Sequence, residues 1–254
     1  MTEVLLQAEA LERTFGQVQA LRGANFTACV GEIVALIGDN GAGKSTLMKC
    51  LCGADQPTGG RLLLEGREVH FASPAEAQRL GIETVYQDLA LAPDLDAAAN
   101  LYLGREVLRS GFLGRLHIMD KPAMRAASRK AFAELGTELP RASTHIASLS
   151  GGQRQNVAVT RAVFWASRLL FMDEPTAALG VIQRRKVLDV MRRIRDRGIT
   201  VVLISHNMPE VLSVADRIEV LRLGRRVARF KAAEASLEEL VAAMTGALEQ
   251  ESAA

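Results

Sequence analysis

Nine consecutive residues constrain this chain more than any others: Gly38-Asp39-Asn40-Gly41-Ala42-Gly43-Lys44-Ser45-Thr46. They follow the apolar run Ile33 to Ile37 and precede a helical pattern that begins near Ser45. The spacing is G-x-x-x-x-G-K-[ST], and each fixed position has a physical reason. The glycines let the backbone curl until successive N–H groups point inward at phosphate oxygens, beside the positive end of the next helix. Lys44 reaches the outer phosphates of a nucleotide, and the Ser45 hydroxyl can ligate Mg²⁺. In a chain of 254 residues a chance match is on the order of one in a hundred from average residue frequencies.

The rest of the chain supplies a fitting frame. Leu169 to Met172 and Thr200 to Ile204 are further short apolar runs, each the length of a strand buried on both faces. Both end in polar groups, Asp173-Glu174 and Ser205-His206, at the carboxyl ends where α/β sheets bind ligands. Val30 to Ile37 and Arg61 to Phe71 have strand character, and Arg217 to Leu223 with Arg226 to Phe230 flank Gly224-Arg225 as a hairpin. Between the sheet segments, residues 89 to 160 read as a helical insertion. Asp120-Lys121-Pro122 starts a helix there and Gly136 stops it. Val181 to Asp196 is arginine-rich, but Val187, Met191 and Ile194 form the apolar stripe of an amphipathic helix.

Composition excludes several classes. Hydrophobic residues at 48% and charged residues at 24% are ordinary globular values. A net charge of +2 gives no electrostatic case for nucleic-acid binding, and none is expected. Of the three cysteines Cys29, Cys50 and Cys52, the Cys50-x-Cys52 pair lies next to a predicted helix without a second pair or a nearby histidine, so buried reduced thiols are expected there rather than a metal site. The start, Met1-Thr2-Glu3-Val4, has no signal-peptide character, and no apolar run approaches a membrane span.

Two more segments carry chemistry. An apolar strand ending at Asp173 delivers a carboxylate to a magnesium shell, and Glu174 then stands where it can orient the attacking water. Alone, an acidic pair after a strand can equally cap a helix; the glycine loop turns it into a hydrolytic pair. Leu149-Ser150-Gly151-Gly152-Gln153 opens a helix, so Ser150 and the following N–H groups form a second anion-binding end. A lone phosphate loop has no use for it, whereas a protein that clamps ATP between two surfaces does.

With these motifs in place the chain resembles the ATP-binding subunits of ABC transporters over nearly its full length. The resemblance implies an α/β fold: a P-loop, RecA-like core with a small antiparallel β layer and a helical subdomain. It also implies one such domain over 1–254, with core segments 1–88 and 161–230, a helical part at 89–160 and a C-terminal helix and tail at 231–254. It makes Gln87 the residue that touches magnesium and links sheet to insertion, His206 the contact of the γ-phosphate, and Phe15 the aromatic that stacks on adenine. A half-buried core aromatic is the alternative for Phe15, and His70, His117 and His145 have no such context. After Pro175-Thr176-Ala177-Ala178-Leu179, Gly180 stands where most of the family has an aspartate that signals across the dimer.

Within the family, Val85 to Leu91, Asn100 to Glu106, Thr176 to Val181, Ser205 to Pro209 and Leu223 to Val227 resemble the monosaccharide-uptake class. The implied partners are a second copy of the chain, membrane permease subunits, and indirectly an extracytoplasmic sugar-binding protein. The implied place is peripheral, on the cytoplasmic face of the membrane, with ATP and Mg²⁺ as cofactors. A soluble ABC ATPase of DNA repair or translation is the rival, but residues 89 to 148 lack the sustained heptads of a repair coiled coil. A GTPase would want an Asn-Lys-x-Asp guanine reader, which is missing. Intact Lys44, Asp173 and Glu174 oppose a scaffold without activity.

Overall fold

The computed structural model describes residues 3–136, 141, 143–177 and 179–248. In chain order the elements begin with β1 (Val4–Phe15), β2 (Val18–Cys29), β3 (Ile33–Ile37), α1 (Lys44–Leu51), β4 (Gly59–Leu64), β5 (Arg67–Glu68), α2 (Pro74–Arg79) and β6 (Ile82–Val85). Then come α3 (Ala97–Leu101), α4 (Phe112–Arg115), α5 (Lys121–Glu134), α6 (Gly151–Trp165), β7 (Leu169–Asp173) and α7 (Val181–Asp196). The last are β8 (Thr200–Ile204), α8 (Met208–Val214), β9 (Arg217–Arg222), β10 (Arg225–Lys231) and α9 (Leu237–Thr245).

The chain divides into two compact units. The first comprises Met1–Thr84, Ala166–Glu174 and Leu188–Ala254; the second comprises Val85–Trp165 and Pro175–Val187. The helical insertion expected over 89–160 lies inside the first segment of the second unit, 85–165. Of the expected C-terminal helix and tail, α9 is seen, and residues from 249 onward lie outside the described residues.

The first unit is built on two sheets. Its six-stranded sheet has the order β10-β9-β3-β8-β7-β6, with β3 parallel to both β8 and β9 and β7 parallel to β8. Every residue of β3, β7 and β8 is buried, which is why these strands read as unbroken apolar runs. The register pairs Leu36 with Ile204 and Asp173 with Ile204, so the three strands end level. Gly38, Glu174 and Ser205 consequently leave the sheet along one edge. That alignment is what gathers residues more than a hundred positions apart into one site.

The second sheet is antiparallel, in the order β2-β1-β4-β5. Sequence periodicity does not reveal its two twelve-residue strands. The reason is a set of register shifts between β1 and β2, with Ala10 at φ 49°, which put apolar and charged side chains out of strict alternation. Two strand readings also need correction. Val30 lies in a turn ahead of β3, and the stretch from Arg61 breaks at Glu65-Gly66 into β4 and β5, ending before Phe71. The hairpin near the end is present, but its turn is Leu223-Gly224 rather than Gly224-Arg225, since β9 ends at Arg222 and Arg225 already belongs to β10. Its Glu219 is fully buried, with ion pairs to Arg217, Arg226 and Arg229. Cys50 and Cys52 are buried free thiols, and burial pushes the Cys50 thiol up to about 12, which keeps it unreactive.

The second unit packs α3, α5 and α6 around Leu101, Tyr102, Met124, Phe132, Leu149 and Val157. Asp120 caps α5 through Ala123 N–H, with Pro122 in the first turn. Asn100 is fully buried: its carbonyl accepts from Ala92 N–H, and its amide donates to the carbonyls of Ala92, Leu95 and Asp96. It therefore fixes the loop that leads into α3.

Candidate functional site

The phosphate loop links β3 to α1. Gly38 has φ 153°, and a Cβ there would lie 2.1 Å from the Leu221 carbonyl oxygen; Gly43 has φ 101° and would meet the Ala20 oxygen at 2.8 Å. Only glycine fits either position. No side chain caps α1, so its first-turn N–H groups retain the partial positive charge that an anion satisfies. Lys44 Nζ donates to the carbonyls of Gly38 (2.6 Å) and Asp39 (3.0 Å), folding the ammonium onto its own loop. Burial lowers its pKa, opposed by the charges of Glu174, Asp39 and Asp173.

Asp173 ends β7 and is 7% exposed. Burial raises its pKa, and the neighbouring Glu174 charge adds to the shift while Lys44 opposes it. This carboxylate lacks full compensation from the protein, and a cation beside it would supply what is missing. Among the described residues no group of three or more His, Cys, Asp or Glu side chains is arranged to hold a metal. Mg²⁺ needs no such cage, because it keeps its waters and takes one or two protein carboxylates with phosphate oxygens. Asp173 and the Ser45 hydroxyl therefore suit it as a donor set.

Glu174 has φ 49°, a conformation strained for any residue with a side chain, and its N–H donates to Ile204 O at 2.9 Å. Its Oε1 lies 2.7 Å from His206 Nδ1. The Glu174 side chain is mostly buried and the His206 ring largely exposed. Thirty-two positions separate the two residues, and no sequence pattern announces their contact. Behind His206, Asn207 caps α8 by accepting from Glu210 N–H.

A cleft of about 450 Å³ runs from Asn40, Gly41, Gly43, Lys44, Ser45 and Thr46 to Val18, Gln19, Ala20, Arg22 and Leu223. The sequence reading missed this second wall, which comes from β2 and the β9–β10 turn. Phe15 closes β1 opposite Val18. It is 46% exposed, with the Arg13 guanidinium 4.4 Å over its ring, so it is not a core aromatic. Asp39 is exposed and Ala42 buried within the loop.

Leu223 deserves a test of its own because it breaks a rule. Leu223-Gly224 is a two-residue turn with φ 49° and 77°, where asparagine or glycine is favoured over leucine. It is 60% exposed and lines the cleft. Leu223→Asn is expected to stabilise the unliganded protein by about 0.5–1 kcal/mol, since asparagine tolerates this conformation better. The same change should weaken ATP binding by roughly 1 kcal/mol through loss of apolar contact. Thermal melts with and without ATP measure both; a higher melting point with unchanged affinity would make Leu223 a turn residue only.

The remaining predicted residues lie in the second unit. Gln87 is exposed in the turn that closes with Leu89 N–H donating to Tyr86 O. Leu89 and Ala90 follow at φ 62° and 44°. Arg161 on α6 holds that turn by donating to the carbonyls of Leu89 (3.1 Å) and Ala90 (2.7 Å). At the start of α6, Ser150 N–H donates to Gln153 Oε1 at 2.9 Å and Gln153 N–H donates to Ser150 Oγ at 3.3 Å. This reciprocal cap leaves the serine hydroxyl hydrogen available to an anion. Gly151 and Gly152 form the first turn, and the buried Leu149 anchors it. A Cβ on Gly180 would lie 3.0 Å from Gln183 Oε1, the end of a flexible side chain, so an aspartate could be accommodated there. Ala178, in the segment before it, lies outside the described residues.

The ABC transporter family model matches residues 21–177, well over half the chain. The chain is 47% identical over 249 residues to the fructose import ATP-binding protein FrcA of Rhizobium meliloti, covering 97% of this chain and 96% of that protein. It is 44% identical to the xylose/arabinose import ATP-binding protein XylG of Sulfolobus acidocaldarius, covering 95% and 94%. A ribose import ATP-binding protein RbsA of Rubrobacter xylanophilus is 43% identical, with 47% of its length covered. Among solved structures, an ATP-binding cassette of an ABC transporter in its ADP conformation matches with a TM-score of 0.77 at 26% identity, over 96% of both chains. Fold, phosphate loop and full-length relatives agree: the chain belongs to the ABC transporter family, as an ATP-binding subunit that hydrolyses ATP.

Proposed function

We propose that this chain drives uptake of a monosaccharide, working as a homodimer beneath a membrane permease on the cytoplasmic face of the membrane. The observation that carries the reading is the full-length similarity to single-domain import ATP-binding proteins for fructose and for xylose or arabinose. The permease would receive its sugar from an extracytoplasmic binding protein that never touches this chain. Among the described residues no helix is long and apolar enough to cross a membrane. The whole chain, 1–254, would act as one functional cassette.

The residues have distinct tasks in this reading. The loop from Gly38 to Thr46 cradles the phosphates, Lys44 leaves its own carbonyls for them, and Phe15 stacks on adenine. Ser45, Asp173 and Gln87 are the groups that would hold Mg²⁺, which when bound neutralises phosphate charge. Glu174 orients the attacking water, and His206, hydrogen-bonded to it, faces the γ-phosphate. Ser150, Gly151, Gly152 and Gln153 of the second copy close over the same ATP. A deletion strain tested with labelled fructose, xylose, arabinose and ribose should lose uptake of one of them and regain it with the gene restored. Normal uptake of all four, together with a DNA-repair or translation defect, would transfer support to the soluble rival.

A further inference from the structure

We infer that the hairpin formed by residues 107–119 lies on an anionic lipid surface. The inference deepens the peripheral placement proposed above and rests on it. The hairpin is built rather than loose. Leu108 and Met119 form an antiparallel bridge, Arg109 N–H donates to Ile118 O at 2.9 Å, and Asp120 N–H donates to Val107 O at 2.7 Å. At its tip, Gly111 turns the chain at φ 69° into the single turn of α4. A Cβ on Gly114 would lie 2.0 Å from the Arg109 carbonyl oxygen, so that glycine is required for the tip to close.

Among the described residues the apolar side chains at the tip of this structure are left largely uncovered, and those along its strands partly so. Phe112 is 73% exposed and Leu116 56%, and Val107, Leu108, Ile118 and Met119 are all exposed. An isolated two-stranded ribbon is marginal in water, and a contiguous exposed apolar patch on an ordered element marks a surface for something else. Arg109, Arg115 and His117 are exposed among these side chains, and residues 107–119 contain no Asp or Glu. An exposed aromatic and aliphatic tip with Arg109, Arg115 and His117 among its side chains matches the boundary between acyl chains and anionic headgroups.

Charge decides against the other occupants. The cytoplasmic loops of membrane proteins carry an excess of lysine and arginine, which would repel this hairpin. A second copy pairing through the same face would set Arg109 and Arg115 against themselves. A free phosphate would leave the apolar tip unexplained.

The test uses the purified full chain with vesicles of phosphatidylcholine alone or mixed with phosphatidylglycerol, separated by sedimentation. Binding to the anionic vesicles only, weakened by salt, is expected. Phe112→Asp with Leu116→Asp should reduce the partition coefficient at least about tenfold, and Arg109→Gln or Arg115→Gln about fivefold each. ATP hydrolysis in solution should stay unchanged in all these variants, which shows that they fold. Equal partitioning into both kinds of vesicle, or none, would overturn the inference, as would full binding by the double aspartate variant. Membrane binding that appears only with the permease reconstituted would assign the hairpin to that protein instead. A chain that binds anionic vesicles through Phe112 yet supports no sugar uptake would uphold this inference and count against the importer reading.

Discussion

Replacing Glu174 by glutamine is expected to leave ATP binding intact and to slow hydrolysis by about 10²–10⁴-fold, the usual worth of a positioned base. The substitution removes a charge and little else. Glutamine has the same shape, keeps an acceptor for the His206 ring, and sits at the same strained φ of 49° behind the bond from residue 174 N–H to Ile204 O. Any loss therefore reports the carboxylate. Burial of that carboxylate beside Asp173 also means that two negative charges crowd the end of β7. The variant should relieve that repulsion and hold ATP in an accumulating dimer, visible by size-exclusion chromatography with nucleotide. A kcat near that of the unaltered chain, in a folded variant, would remove Glu174 from the mechanism and leave its strain unexplained.

The same residues show how far sequence alone reaches. β3, β7 and β8 were legible because burial on both faces writes an unbroken apolar run, and α7 because its apolar stripe repeats at helical spacing. The phosphate loop was legible because backbone geometry at Gly38 and Gly43 tolerates no substitute. β1 and β2 were not, since bulges destroy the alternation that identifies half-buried strands. Contacts made only by folding were hidden too: Glu174 with His206, Arg161 with the turn beyond Gln87, and Leu223 beside the cleft. Leu223 did leave a trace, as an unexpected residue in a tight turn before glycine.

The largest effect concerns the ownership of the active site. Ser150 opens a helix whose first turn already has its reciprocal cap with Gln153, which leaves the serine hydroxyl hydrogen available for a ligand. One phosphate loop does not require a second such end. The proposal is that Ser150 of one chain completes the ATP held by Lys44 of the other, in an isologous dimer. Lys44→Ala removes the phosphate-binding ammonium, and Ser150→Arg fills the closing surface with a bulky side chain; each variant alone should be inactive. Loss of the serine cap also costs about 1 kcal/mol of helix stability, so a thermal melt must show that Ser150→Arg is folded. In a mixed dimer one site combines both lesions, while the other has an unaltered lysine and an unaltered serine. Random pairing makes half the dimers mixed, each with one intact site of two, so roughly a quarter of the sites should recover. Coupling between sites would lower the hydrolysis regained, and ATP-driven dimerisation measured in parallel separates that from failure to assemble. If the two variants exchange subunits freely and mixing restores neither dimerisation nor hydrolysis, each chain holds its own complete site and the shared arrangement is wrong.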